Sequence, residues 1–225
     1  MTTSPPLGED RRPGAGGLAG APVGGGATPA VDPRRSVFIN CPFDPEYEPL
    51  RDALLLAVVS CGFTPRSALE SGIASLARME RIFQALYSSH YSIHDLSRCR
   101  GEGDEVLARF NMPLELGIAM SRRYKGEQAN PHDWLVLVPS TAPYARFVSD
   151  LAGYDLPPYD GTELSLIQQV LAWLMVLPDA LPGVNPLQVQ ARLGAFREEK
   201  VRLKAQWGQI PWKLLVEAAV KAVAE

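Results

Sequence analysis

The segment Tyr91-Ser-Ile-His-Asp-Leu96 is typical of a buried strand that ends beside a carboxylate. Two other short apolar runs have the same character, Ser36-Val-Phe-Ile-Asn40 and Trp134-Leu-Val-Leu-Val138. Stretches with a helical spacing of apolar residues lie between and after these runs. Because strands that alternate with helices form parallel sheets covered on both faces, the sequence predicts a doubly wound α/β domain.

The other elements follow from apolar spacing and turn residues. A helix is predicted over residues 47–60, ended by Gly62, and the next helix, over 76–88, is expected to face inward with Met79, Ile82, Phe83 and Leu86. The remaining predicted elements are a strand at 63–68, helices at 111–124, near 144–151 and at 162–177, and a weak strand within 153–159. These patterns give a sheet of about five strands.

Composition divides the chain into three parts. Residues 1–35 are rich in Gly, Pro and Ala and are predicted to be a disordered tail, 36–178 form the α/β domain, and 179–225 form a helical extension. Within the extension, stretches 187–207 and 211–223 predict a helical hairpin. It either packs back on the core or forms an oligomer or partner surface. Its large apolar residues available for packing are Leu193, Phe196, Trp207, Trp212, Leu215 and Val220.

The composition also limits the classes of partner and compartment. The chain has 225 residues, a net charge of −3 and three cysteines without a Cys-x-x-Cys pair. This charge predicts neither a nucleic-acid nor a membrane partner, and the odd cysteine count favours a reducing compartment. Because no signal-peptide pattern and no apolar run of about 18 residues occurs, we expect a cytoplasmic protein.

Several motifs of common enzyme classes are missing from the sequence. There is no Walker loop, no Gly-x-Gly-x-x-Gly and no Gly-x-Ser-x-Gly, which argues against P-loop NTPases, dinucleotide dehydrogenases and α/β-hydrolases. His90 and His94 have no set of Cys or carboxylate partners at zinc spacing. We therefore predict no metal site and no resident cofactor.

Polar residues occur where the predicted strands end. The loop Asn40-Cys-Pro-Phe-Asp44 follows the first strand, Asp95 ends the third, and Arg98 comes shortly after it. Ligands of doubly wound sheets bind beyond the carboxyl ends of the strands, so a site is expected here. Asp95 either acts on a ligand or caps the next element. Arg98 either clamps a phosphate or pairs with acidic residues within 102–105.

A second carboxylate, Glu115, lies in an otherwise apolar helix that begins near Asn111. It is either a functional group whose surroundings disfavour its charge or a first-turn Glu that stabilises the amino end of the helix. Asn111 either caps this helix or meets a ribose hydroxyl. The small residues Gly117 and Ala119 are expected to let a ligand or strand approach closely.

A strand-end Asp95 followed by the helical sequence Glu115-Leu-Gly-Ile-Ala119 resembles the nucleoside 2-deoxyribosyltransferases and the related nucleoside-5′-phosphate N-glycosidases. It is also similar to Toll/interleukin-1 receptor (TIR)-like domains. The resemblance covers roughly residues 36–158. It implies a flavodoxin-like sheet and a nucleotide or NAD-like substrate. It also implies a helix-borne catalytic Glu115, with Asp95 binding the ribose or assisting the leaving base.

The resemblance further implies that Asn40, Cys41, Pro42 and Phe43 line the sugar and base pocket. This chain departs from the transferases at Asn111-Met-Pro113, where that family has a Gly-Thr-type turn. Three functions therefore stay open. The first is a nucleotide N-glycosidase or glycosyl transferase, with NAD+ among its candidate substrates. The second is a nucleotide-sensing module that signals by oligomerising through the C-terminal helices, and the third is an adaptor.

Overall fold

The computed structural model describes residues 31–72, 75–98, 111–125, 131–141 and 148–224, and the fold is given for these. Five strands occur in these residues: β1 (Ser36–Asn40), β2 (Thr64–Arg66), β3 (Tyr91–Asp95), β4 (Asp133–Pro139) and β5 (Pro158–Tyr159). The helices are α1 (Glu48–Ser60), α2 (Arg78–Tyr87), α3 (Asn111–Lys125), α4 (Glu163–Leu174), α5 (Pro186–Ala191), α6 (Leu193–Trp207) and α7 (Trp212–Ala224).

All strand pairs in the sheet are parallel, and the strand order is β2-β1-β3-β4-β5. This is the flavodoxin-like order. The register places Asn40 of β1 opposite His94, and Asp95 of β3 opposite Leu137, so the carboxyl ends of the central strands are level. The predicted doubly wound α/β fold with five strands is confirmed.

Alternating side chains of the central strands face two different layers. Val37, Ile39, Tyr91 and Ile93 belong to the large core with α1, α4 and the C-terminal helices. Phe38 points the other way, to α2 and α3. Because successive strand residues face opposite sides of a sheet, Asn40, Ser92 and His94 lie on the side of α2 and α3, whereas Asp95 lies on the side of α1.

The C-terminal helices pack on the layer of α1, which is the first of the two predicted alternatives. Trp212, at the start of α7, is buried, and its indole nitrogen donates to the Pro65 carbonyl of β2 at 3.2 Å. Leu193, Phe196 and Leu215 are also buried, whereas Trp207 and Val220 are 53% and 52% exposed and do not join this core.

Other boundaries differ in detail from those predicted. The stretch 187–207 is two helices, α5 and α6, and only the segment Ser149–Gly153 of the helix expected near 144–151 is described, as a 3₁₀ helix. Met79 and Phe83 are 37% and 40% exposed, because the buried stripe of α2 is Ile82, Ala85 and Leu86. Gly62 ends α1 with φ +80°, the left-handed conformation common after helices.

Residues 1–30 of the predicted tail lie outside the described residues, and Pro33–Arg35 form a 3₁₀ turn before β1. None of the described helices combines the length and apolar character needed to cross a bilayer.

A buried ion-pair network joins α6 to α1. Lys200 donates to Asp52 at 2.5 Å and to Glu48 at 2.8 Å, while Arg197 reaches Asp52 at 3.4 Å and Glu163 of α4 at 2.6 Å. Asp52 is 2% exposed and Lys200 is 9% exposed. Since both charges have lost their water, their mutual attraction fixes the position of α6.

Candidate functional site

Asp95 is fully buried at the end of β3 and faces the α1 layer. Its carboxylate accepts hydrogen bonds from the Tyr159 hydroxyl at 2.9 Å and from the Ser97 backbone N–H at 2.8 Å. Burial raises the pKa of Asp95, and the bonds from Ser97 and Tyr159 oppose this rise. Burial, and then the neighbouring Asp95 carboxylate, raise the pKa of Tyr47.

A cleft of about 310 Å³ opens beyond Asp95, and we call it the Asp95 cleft. The hydroxyl-bearing rings of Tyr47 and Tyr159 line it, together with Glu46, Leu50, Ser97, Arg98, Pro139, Thr141 and Gly161. It lies beyond the carboxyl ends of β3, β4 and β5, where ligands of this fold class bind. The sequence analysis expects a ligand site at this same edge of the sheet.

Arg98 lies in the Asp95 cleft but is held by other carboxylates than those expected. Its guanidinium donates to Asp44 at 2.7 Å and to Glu46 at 3.2 Å. The acidic residues 102–105 lie outside the described residues. Through its bonds to Asp44 and Glu46, Arg98 connects the loop after β1 to the end of β3.

Glu115 is the unusual group of α3, because it is only 5% exposed. Its buried helical neighbours are Met112, Leu116 and Ala119, and no described residue gives its carboxylate a hydrogen bond. Burial raises its pKa from 4.5 to about 7, and the charge of Arg78 opposes this. A carboxylate with such a pKa can exchange its proton near neutral pH.

Cys41 lies near both carboxylates. Burial raises the pKa of its thiol; Arg51 opposes the rise, and the charges of Asp95 and Glu115 each add to it. The thiol is therefore protonated and a poor nucleophile. Asp95 faces the α1 layer, whereas α3, which carries Glu115, covers the opposite face of the sheet.

The other predicted site residues do not line the Asp95 cleft. Asn40 and Pro42 are buried, whereas Phe43 is 37% exposed, with the Arg51 guanidinium 5.6 Å from its ring centre. Asn111 is exposed at the first described turn of α3. Gly117 is also exposed, and nothing lies within 4 Å of the position of a Cβ there, so close approach does not explain this glycine.

Asn40 belongs to a buried hydrogen-bond chain on the α3 side of the sheet. Its amide nitrogen donates to the Met112 carbonyl at 3.1 Å and to His94 Nδ1 at 3.0 Å. The other ring nitrogen, Nε2, is 2.9 Å from Ser92 Oγ, which is 2.9 Å from His132 Nε2. Since an amide nitrogen only donates, His94 carries its proton on Nε2 and Ser92 donates to His132.

Both His94 and His132 of this hydrogen-bond chain are expected to stay neutral well below pH 6.5. Burial lowers the pKa of His94 and of His132 to about 3, and the positive charge of Arg122 adds to this effect at His132. In NMR spectra, their ring signals should remain at neutral positions from pH 8 to pH 5. In urea all three histidines of the chain should titrate near pH 6.5, which is the control.

The native state therefore binds fewer protons than the unfolded state between pH 3 and 6.5. These two groups make stability fall as the pH drops below about 6.5. If His94 or His132 titrated near pH 6.5 in the folded protein, the buried hydrogen-bond chain would be contradicted.

Sequence reasoning missed Tyr159, Ser92 and His132. Ser92 and His94 alternate along β3, which is a signal that one face of this strand carries a polar pair. The partnership of Tyr159 with Asp95 had no such signal, because it joins residues 64 positions apart.

In the described part of the chain, no three His, Cys, Asp or Glu residues group as potential metal ligands. No family model, no curated protein and no solved structure matches this chain.

Proposed function

We propose that this protein cleaves or transfers the N-glycosidic bond of a nucleotide, with Glu115 as the nucleophile. The observation that carries the proposal is a buried carboxylate without a hydrogen-bond partner among the described residues, whose pKa is raised to about 7. Such perturbed groups concentrate at functional sites. The resemblance of Asp95 and of residues 115–119 to the deoxyribosyltransferases supports the same role.

The chemistry would proceed in two balanced steps. The ionised Glu115 attacks the anomeric carbon, and the electron pair of the broken C–N bond stays on the departing base. The base of a nucleoside monophosphate then takes up a proton, whereas the nicotinamide of NAD+ leaves as a neutral molecule. Water or another hydroxyl then attacks the glycosyl ester, loses its proton and releases Glu115. Asp95, on the other face of the sheet, would bind the ribose or assist the base from the Asp95 cleft.

The direct test is release of free base. Purified protein is incubated with NAD+ and a panel of nucleoside monophosphates, and the products are separated by chromatography. Base released by the wild type establishes cleavage and identifies the substrate class. If no base appears from any candidate and no nucleotide raises the melting temperature, both glycosidase and nucleotide sensor fail and the adaptor remains.

The pH profile of base release should have an acid limb near pH 7. Glu115 must be ionised to attack, and its pKa is about 7, so kcat/KM should fall about tenfold per pH unit well below that value. Initial rates between pH 5 and 9 measure this limb. A profile flat across pH 6 to 8 would contradict the nucleophile.

A second candidate is a nucleotide-sensing module that signals by assembly. Two observations favour it: Asp95 already accepts bonds from Tyr159 and Ser97, and the C-terminal hairpin exposes apolar side chains. These are Val201, Trp207 and Val220, each more than half exposed. A ligand-dependent rise in mass by light scattering, without product, would support this sensor. Its proposed location, like that of the glycosidase, is the cytoplasm.

A further inference from the structure

A second cleft, of about 730 Å³, lies on the other side of the loop after β1, and we call it the cationic cleft. Its walls come from that loop and from α1, from the segment after β2, from α2, and from the turn between α6 and α7. It is distinct from the Asp95 cleft, which β3, β4 and β5 border. Its volume is within the range of small-molecule sites.

The charged residues of the cationic cleft are strongly unbalanced. Arg51, Arg81, Lys200 and Lys204 line it, against the single carboxylate of Glu48. Glu48 is already taken by Lys200 at 2.8 Å, and Arg51 is 3.8 Å from it. An excess of cations in a concave site raises the local concentration of anions.

Two of these cations lack a carboxylate partner among the described residues. The buried Nε of Arg81 has no hydrogen-bond acceptor, and Lys204 makes no ion pair within 4 Å in the described part of the chain. Buried polar atoms are normally hydrogen-bonded, so this Nε–H is a donor that a ligand oxygen in the cleft could accept from. A guanidinium fits a phosphate or carboxylate, and phosphate offers more oxygens to several cations at once.

The apolar part of the cationic cleft is formed by Phe43, Leu69 and Trp212. Phe43 and Leu69 are 37% and 50% exposed, and Trp212 is anchored through its bond to Pro65. These side chains can cover a ring or an apolar group attached to the anion. The α6–α7 turn completes the wall, so the C-terminal extension contributes residues to this cleft.

We propose that the cationic cleft binds an organic phosphate ester, with its phosphate held by Arg81, Lys204 and Arg51. This site does not depend on catalysis by Glu115. It also differs from the alternative in which Arg98 clamps a phosphate, because Arg98 is held by Asp44 and Glu46.

Calorimetry with AMP as the probe and adenosine as its neutral match tests this site. AMP should bind at least about tenfold more tightly than adenosine, and inorganic phosphate should compete with it. Arg81→Gln and Lys204→Gln should each weaken AMP binding by about tenfold or more. Lys221→Gln, a 56% exposed lysine near the end of α7, should leave AMP binding unchanged.

Urea unfolding is the control for folding. Variants that unfold at the same urea concentration as the wild type have lost a ligand contact and not the fold. Equal affinity for AMP and adenosine would overturn the proposal. So would AMP binding that survives Arg81→Gln and Lys204→Gln but is lost in Arg98→Gln, since the phosphate would then lie in the Asp95 cleft. Base release without AMP selectivity would overturn this site while leaving the proposed function intact.

Discussion

Glu115→Gln is expected to abolish base release and, at the same time, to make the folded protein more stable. Glutamine has nearly the same shape but cannot attack the anomeric carbon, so kcat/KM should fall by at least about 10³-fold. The gain in stability arises because the wild type must bury a carboxylate that no described residue hydrogen-bonds.

The size of this gain follows from the two pKa values. The pKa of Glu115 is about 7 in the native state against 4.5 for the ordinary group. The native state therefore holds this proton more tightly, and stability falls as pH rises from 4.5 to 7. At pH 8 the carboxylate destabilises the fold by about 3 kcal/mol, which Glu115→Gln should recover.

Urea unfolding at pH 8 and pH 4 measures this effect together with the activity. The stabilisation should disappear at pH 4, where Glu115 is protonated in the native state. Glu217→Gln on α7, whose side chain is 55% exposed, is the matched control and should change neither stability nor base release. Full activity in Glu115→Gln would exclude this residue as the nucleophile, whereas unchanged stability would show that its carboxylate is solvated.

Lys200→Met is expected to destabilise the protein by about 3 kcal/mol, because it leaves the Asp52 charge buried without its closest partner. The value lies at the lower end of the usual range, since Arg197 still reaches Asp52 at 3.4 Å. Urea unfolding at pH 8 measures the loss. Burial already raises the pKa of Asp52, so the loss should shrink as acid neutralises this carboxyl group.

Two further variants test the ion-pair network. Lys213→Met removes a lysine that is 77% exposed and should change stability by less than about 0.5 kcal/mol. The double variant Asp52→Leu with Lys200→Met should recover most of the loss, because both buried charges are gone. A loss in Lys200→Met no larger than in Lys213→Met would mean that the network contributes nothing to stability.

The strands that form the sheet were predictable from local sequence. The run Ser36–Asn40 matches β1 exactly in its bounds, and β3 ends at Asp95, one residue before the predicted end. Short apolar runs of this kind have few alternatives in a sequence with clear turn residues. A strand was predicted within 153–159, but its two-residue extent was not, nor was the break between α5 and α6, because tertiary packing decides such boundaries.

The candidate site was only partly predictable. Glu115 stood out as a carboxylate in an apolar helix, and the structure places it in a buried position. The sequence did not indicate that Asp95 and Glu115 approach from opposite faces, because face depends on strand parity and on which helix covers each layer. The ion pair of Arg98 with Asp44 joins residues 54 positions apart, which local patterns do not record.

The two edge strands of the sheet bear on how this protein avoids aggregation. β2 has three residues with Pro65 at its centre, and β5 has two residues and begins with Pro158. Proline offers no N–H to a neighbouring strand, and such short edges give an incoming chain little to pair with. Edge-to-edge growth into sheets across molecules is therefore disfavoured, and contacts between copies are left to the helical faces.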